Sequence, residues 1–246
     1  MQASEHGEPT GVRPAAERWW GALGASAVVV TYGNLATVAT WLPFPGTLVP
    51  VIGHPLLVAA ALAWARGPAG FTWAELGLGR FGWARSALLG LGLGGLMALL
   101  VVVPLLGFRA IGWSSATTYP QPEDPAAFAQ IVLRLLLVTA LCEELWFRGL
   151  LHACWGRLLE PRRGMLVGAV LFAAWHLAVW GWTLERVTLT PALPVILTYP
   201  AGLLILGIAG LLFSWLRQAT GHLVGPIVAH WVIDVVLVVL VLASWL

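Results

Sequence analysis

The stretch Glu143-Glu144-Leu145-Trp146-Phe147-Arg148 sets three formal charges inside an apolar run that extends from about Ala126 to Trp155. An ionisable side chain at membrane depth costs roughly 2.5 to 3.5 kcal/mol on insertion scales, so each such group calls for a function and a partner. Glu144 and Arg148 stand four residues apart on one helical face, where they can pair. Glu143 is turned about 100° away at 3.6 residues per turn and is left to face another helix. Two later apolar runs hold the other conspicuous ionisable groups, His176 in one and His230 with Asp234 in the other. His230 and Asp234 repeat the four-residue spacing, and Phe172 lies one turn before His176, where its ring can pack beside the imidazole.

A carboxylate and an imidazole converging in a dry cavity suit general-base activation of water. A second imidazole can donate to the oxyanion of a tetrahedral intermediate, and the combination suggests amide hydrolysis. The same three groups, Glu143, His176 and His230, can instead hold a zinc ion with an open water position, and spacing alone does not separate the two chemistries. No HExxH and no GxSG occurs. The two cysteines, Cys142 and Cys154, fall on one expected helix, too far apart along it to bridge, and form no CxxC pair.

The elements that must position these groups are apolar runs of about 20 residues, the length of one membrane crossing. Seven are expected, roughly 20–42, 48–65, 86–107, 126–155, 164–182, 194–215 and 223–246. At 1.5 Å rise per residue, His176 lies about 18 Å from the start of its run, Asp234 about 17 Å, and Glu143 about 18 Å from the end of its own. Spans four, five and seven therefore bring the ionisable groups to a similar level. His54 and Pro55 in the short second span suggest a tilt, kink or re-entrant course. Phe71 to Arg85 reads as an amphiphilic connector at the interface, Gly90 to Gly95 as a site of close helix packing, and the residues before Ala126 as a cap for the fourth helix.

Composition agrees with an all-α polytopic transmembrane helix bundle. Of 246 residues, 59% are hydrophobic and only 10% charged, with a mean hydropathy of +0.87, whereas a soluble domain is about 25% charged. Fifteen Trp residues, many at the ends of apolar runs, fit an interfacial aromatic belt. A net charge of +2 gives no footing for nucleic acid. The chain divides into a polar N-terminal tail, 1–18, and a single transmembrane domain, 19–246, with no internal repeat. Positively charged connections stay in the cytoplasm, and an N-terminus inside puts nine of the arginines there, leaving Arg109 and Arg186 outside.

Taken in order, Glu143-Glu144 to Arg148, Phe172 to His176 and His230 to Asp234 reproduce EExxxR, FxxxH and HxxxD. Over about residues 126–246 the sequence thus resembles the CAAX prenyl protease and bacteriocin-processing group, the type II CAAX endopeptidase (Abi) family. The resemblance implies an intramembrane endopeptidase, in a bacterial cytoplasmic membrane, that cleaves near the C-terminus of a lipidated or membrane-embedded peptide. It implies that Glu143 is the general base with His176 its partner, that His230 and Asp234 form the oxyanion side, and that Glu144 and Arg148 shape the site. Phe172 is expected to contact substrate. The family is often described as metalloproteases, which leaves both one divalent zinc and a metal-free route open. Asp234 stands where Asn is commoner, and an ionised carboxylate only accepts, so orienting His230 or binding metal are its alternative roles. A non-catalytic peptide-binding or immunity protein is the second reading, and a proton-coupled transporter the third, weakened by the lack of inverted repeats.

Overall fold

The computed structural model describes residues 15–42, 48–117, 121–190 and 194–242. Its helices are α1 (Ala15–Ala39), α2 (Leu48–Arg66), α3 (Trp83–Ala110), α4 (Pro125–Gly156), α5 (Pro161–Trp175), α6 (Leu177–Arg186), α7 (Val195–Thr220) and α8 (Val224–Leu242). Six are long and apolar enough to cross a membrane, and α5 with α6 makes a seventh crossing if that pair, bent by 45°, is one span. The all-α bundle expected from hydropathy is therefore what forms. One addition is a two-stranded antiparallel ladder, β1 (Ser114–Thr117) against β2 (Val187–Thr190), with Ser114 opposite Thr190.

Most boundaries shift outward from those read by hydropathy, because helices continue beyond the hydrocarbon-like window, whereas α1 stops at Ala39 and α8 begins at Val224. α1 begins at Ala15, so the last four residues of the expected polar tail are helical, while 1–14 lie outside the described residues. The expected end of the last span, 243–246, lies outside them too. The second run is one helix with Pro55 inside it. α4 starts as the sequence suggested: Pro125 takes the first turn and the Asp124 carboxylate accepts from the Ala127 N–H at 2.7 Å.

Two contacts fix how deep the site helices sit. On α3, Ser86, Gly90, Gly94 and Ala98 are all buried at four-residue spacing, forming a strip of small residues against α8. A Cβ on Gly90 would stand 2.3 Å from the Gly225 carbonyl oxygen, and one on Gly94 2.9 Å from that of Ala229. The Gly-rich run therefore provides the close packing expected of it, and it seats the helix that carries His230.

The second contact is the connector between α2 and α3, which is folded onto the helix ends. Leu76 is fully buried, the Gly77 carbonyl accepts from Leu223 N–H at 2.9 Å, and the Gly79 carbonyl accepts from His222 Nε2 at 3.0 Å. Arg217 donates to the Glu75 carbonyl at 2.9 Å, and Arg157 donates to the Glu75 carboxylate at 2.7 and 3.0 Å. Gly77, at φ 75°, is required twice over, since a Cβ there would meet Arg217 Nε at 2.4 Å. Partial burial pushes the Glu75 carboxyl up, but hydrogen bonds from Thr72 and Arg157 outweigh it and hold the group below its ordinary value.

Gly90→Ala should lower thermal stability, because the added methyl meets backbone and overpacking costs about 1–3 kcal/mol. Gly92→Ala, on the same helix with no atom within 4 Å of the new Cβ, should leave the melting temperature unchanged or raise it, since Ala is the better helix former. Paired melting curves of the detergent-solubilised variants check the opposite signs.

Candidate active site

α4 departs from regular geometry around the glutamates. Leu141–Glu144 is α-helical, but Leu135–Ala140 before it and Leu145–Leu151 after it widen into π-helix. Such turns bond i to i+5 and recur at functional sites. Every residue from Cys142 to Leu151 is buried. In this setting Arg148 Nη1 donates to Glu144 Oε1 at 2.7 Å, and both side chains are wholly shielded. Arg148 Nη2 donates to the Gly210 carbonyl on α7 at 2.9 Å, and the guanidinium lies 4.4 Å from the Phe172 ring centre and 5.1 Å from that of Phe213.

The same Glu144 oxygen reaches a third helix. His230 Nδ1 on α8 sits 2.8 Å from Glu144 Oε1, and its ring stacks on Phe213 with centroids 5.2 Å apart. Its other nitrogen, Nε2, is 3.4 Å from Asp234 Oδ2. Spacing alone made Glu144 a local partner of Arg148 and turned Glu143 towards both histidines. The structure divides them differently: Glu144 holds His230, and Glu143 faces His176.

His176 occupies the bend between α5 and α6, at φ −91° and ψ 7°, a sparsely populated region in which active-site residues recur. Its N–H bonds to the Ala173 carbonyl at 3.0 Å. The Phe172 carbonyl is thereby free to accept from His176 Nδ1, at 2.7 Å. With the Nδ1 proton committed to a carbonyl, Nε2 is the ring's acceptor and lies 3.9 Å from Glu143 Oε2. Phe172, expected at the substrate, is 2% exposed and packs its ring 4.5 Å from the His176 ring centre. Glu143 Oε2, Glu144 Oε2 and Asp234 Oδ2 are buried with no hydrogen-bond partner among the described residues.

All six ionisable groups singled out in the sequence thus join one cluster across α4, the α5–α6 bend and α8. The set Glu143, His176 and His230, which can hold zinc by residue type, does not assemble as one. Among the described residues no three His, Cys, Asp or Glu side chains are grouped as metal ligands, and His230 Nδ1 is committed to Glu144. Two other histidines are engaged elsewhere: His54 Nδ1 pairs with the Tyr32 hydroxyl at 3.0 Å, and His222 Nδ1 accepts from Val224 N–H at the start of α8.

Three contributors were not singled out in the sequence. Gly210 supplies the carbonyl for Arg148, and Phe213 supplies a face to both Arg148 and His230. Neither has a signal within the apolar run of α7. Asn34 on α1 bonds both sides of the bend at His176. It had a signal, as the chain's single asparagine, set within an apolar span.

Residues 125–236 match the family model described as type II CAAX prenyl endopeptidase Rce1-like. The matched segment holds every ionisable group of the cluster, which bears out the resemblance carried by the three motifs and supports, at family level, a type II CAAX protease-like membrane endopeptidase. No curated relative and no solved structure matches the chain.

Arg148→Met should destabilise the protein by about 3–5 kcal/mol, because it strands the Glu144 carboxylate in a dry interior. Thermal melting of the purified variant measures this. Arg148→Lys should fall between the two, since an ammonium cannot reproduce the fork that spans Glu144 and Gly210.

Proposed function

We propose that the chain hydrolyses a peptide bond near the C-terminus of a lipidated or membrane-embedded peptide, using water activated by Glu143 and His176. The observation that supports this best is the facing pair itself. Glu143 Oε2 and the acceptor nitrogen of His176 stand 3.9 Å apart, on different helices, and that oxygen has no protein donor among the described residues. The separation is too long for a direct hydrogen bond and suits a water that gives one hydrogen to each.

Attack by that water on the scissile carbonyl carbon forms the new C–O bond as Glu143 takes the proton. The carbonyl oxygen becomes an oxyanion beside His230. In its doubly protonated form this ring donates Nδ1–H to Glu144 and presents Nε2–H to the oxyanion. Collapse breaks the C–N bond, and the proton held by Glu143 passes to the leaving amine. Asp234, beside Nε2, orients the imidazole of His230 and is not the oxyanion donor. Arg148 fixes Glu144 and through it His230. Glu and His suffice for each of these steps, and none runs through a metal.

The arginine distribution supports an N-terminus in the cytoplasm. Arg18 lines a cavity with Arg157, near the end of α4, and Arg157 and Arg217 are tied to one connector. Arg109 and Arg186 close helices that run to the opposite pole. The positive-inside rule thus supports the orientation, and the bacterial cytoplasmic membrane remains part of the proposal.

Glu143→Gln should reduce cleavage of a farnesylated peptide by at least about 10² to 10⁴-fold, the range supplied by a general base, with a melting temperature near that of the parent. Cleavage at the parent rate by the folded variant would remove Glu143 from the reaction. Separately, activity should survive chelation and elemental analysis should find no stoichiometric metal. Loss of activity on chelation, restored by zinc, would require a different donor set from the one described.

A further inference from the structure

We propose that Asn34 is a positioning residue of this site: its side-chain amide wedges the α5–α6 helix open at His176 and so aims the imidazole at Glu143. This rests on the proposed role of His176, but the geometry behind it is independent of any reaction.

In an unbroken helix the Ala178 N–H would bond to the Ala174 carbonyl four residues back. Here the Asn34 side chain takes both positions. Its Oδ1 accepts from Ala178 N–H at 2.8 Å, and its Nδ2 donates to the Ala174 carbonyl at 2.9 Å. The second Nδ2 hydrogen goes to the Val30 carbonyl on α1, also at 2.9 Å, which holds the amide plane and fixes which end faces which group. A primary amide, with two donors and an acceptor, can satisfy all three at once; a hydroxyl or carboxylate cannot.

α1 comes close enough for this because of the residue before. A Cβ at Gly33 would lie 2.1 Å from the Trp175 ring, so the backbone of α1 packs directly on that ring at the end of α5. Tyr32, one residue earlier, packs its ring 6.2 Å from that of Trp175 and 5.8 Å from that of Trp146. Tyr32, Gly33 and Asn34 therefore brace the corner that carries His176.

The wedge also sets the tautomer. With the helix opened, His176 N–H turns to Ala173, and the Phe172 carbonyl is released to accept the Nδ1 proton. That leaves Nε2 as the acceptor towards Glu143. Without the amide, Ala178 N–H and the Ala174 carbonyl are each other's natural partners. The helix then closes through His176, reclaims the Phe172 carbonyl and swings the ring away. Removing Asn34 thus offers the backbone an alternative bond, so the fold survives while the aim is lost.

The test compares the full-length parent, Asn34→Ala and Asn34→Asp, with Thr37→Val as a control. The control removes a hydrogen bond that Thr37 makes only to Gly33 of its own helix. Two readouts are taken on protein shown to be folded by its melting curve: kinetics on a farnesylated peptide, and the ¹⁵N spectrum of histidine-labelled protein, with His176 assigned by its loss in His176→Gln. Asn34→Ala should lower kcat about 100-fold with little change in KM, as misplacement by about 1 Å can, and should lose the Nδ1–H tautomer signal of His176. Asn34→Asp, which keeps the acceptor and loses the donor, should fall between, and Thr37→Val should match the parent in both. A folded Asn34→Ala or Asn34→Asp protein with the parent's His176 tautomer would overturn the proposal. Should the parent cleave no peptide, the proteolytic reading fails, while the spectrum still decides for or against Asn34.

Discussion

The structure depends on three buried groups: Arg148, Glu144 and His230, joined through one carboxylate oxygen at 2.7 and 2.8 Å. Charges this deep are tolerated only when each is paired and bonded, because breaking a buried pair costs several kcal/mol while leaving it intact gains little over an apolar core. Such a network is weak evidence for stability and strong evidence for a required arrangement. It also spans helices. Arg148 and Glu144 come from α4, the Gly210 carbonyl from α7 and His230 from α8. None of these helices can slide by a turn without exposing an unpaired charge.

The surrounding packing holds that register from both sides. The small-residue strip of α3 lets the backbone of α8 approach closely, which fixes the depth of His230 and Asp234. The folded connector ties the ends of α4, α7 and α8 through Arg157, Arg217 and Leu223. Irregular backbone is then concentrated at the chemistry, as π-helical turns flank Glu143 and Glu144 and a break carries His176. In a bilayer, freed backbone groups must find partners within the protein. At the break those partners are the His176 imidazole and the Asn34 amide.

Much of this was legible in the sequence, for reasons that differ by level. The spans were legible because a crossing needs about 20 apolar residues whatever its partners. The six ionisable groups stood out because charge in such runs is rare, and their four-residue spacings gave the Glu144–Arg148 and His230–Asp234 neighbours. The pairing between helices was not legible: Glu143 and Glu144 differ by one residue, and which of them meets which histidine depends on the π-helical turns and on how α8 is seated. The break at His176 was hidden as well, because Trp175-His176-Leu177 holds neither Pro nor Gly and its cause lies about 140 residues away, in Asn34. Hydropathy also could not show that the connector folds against buried Arg217, since that depends on backbone carbonyls and one left-handed glycine.

The central claim is that Glu143, opposed to His176 at the level of the buried ion network, makes this chain a peptide hydrolase. It is tested most directly by mass spectrometry of C-terminal peptides from membranes of cells producing either the parent or Glu143→Gln at equal levels. A defined set of shortened C-termini that appears with the parent and is absent with the variant is the predicted result. The same shortened set in both membranes would contradict the account.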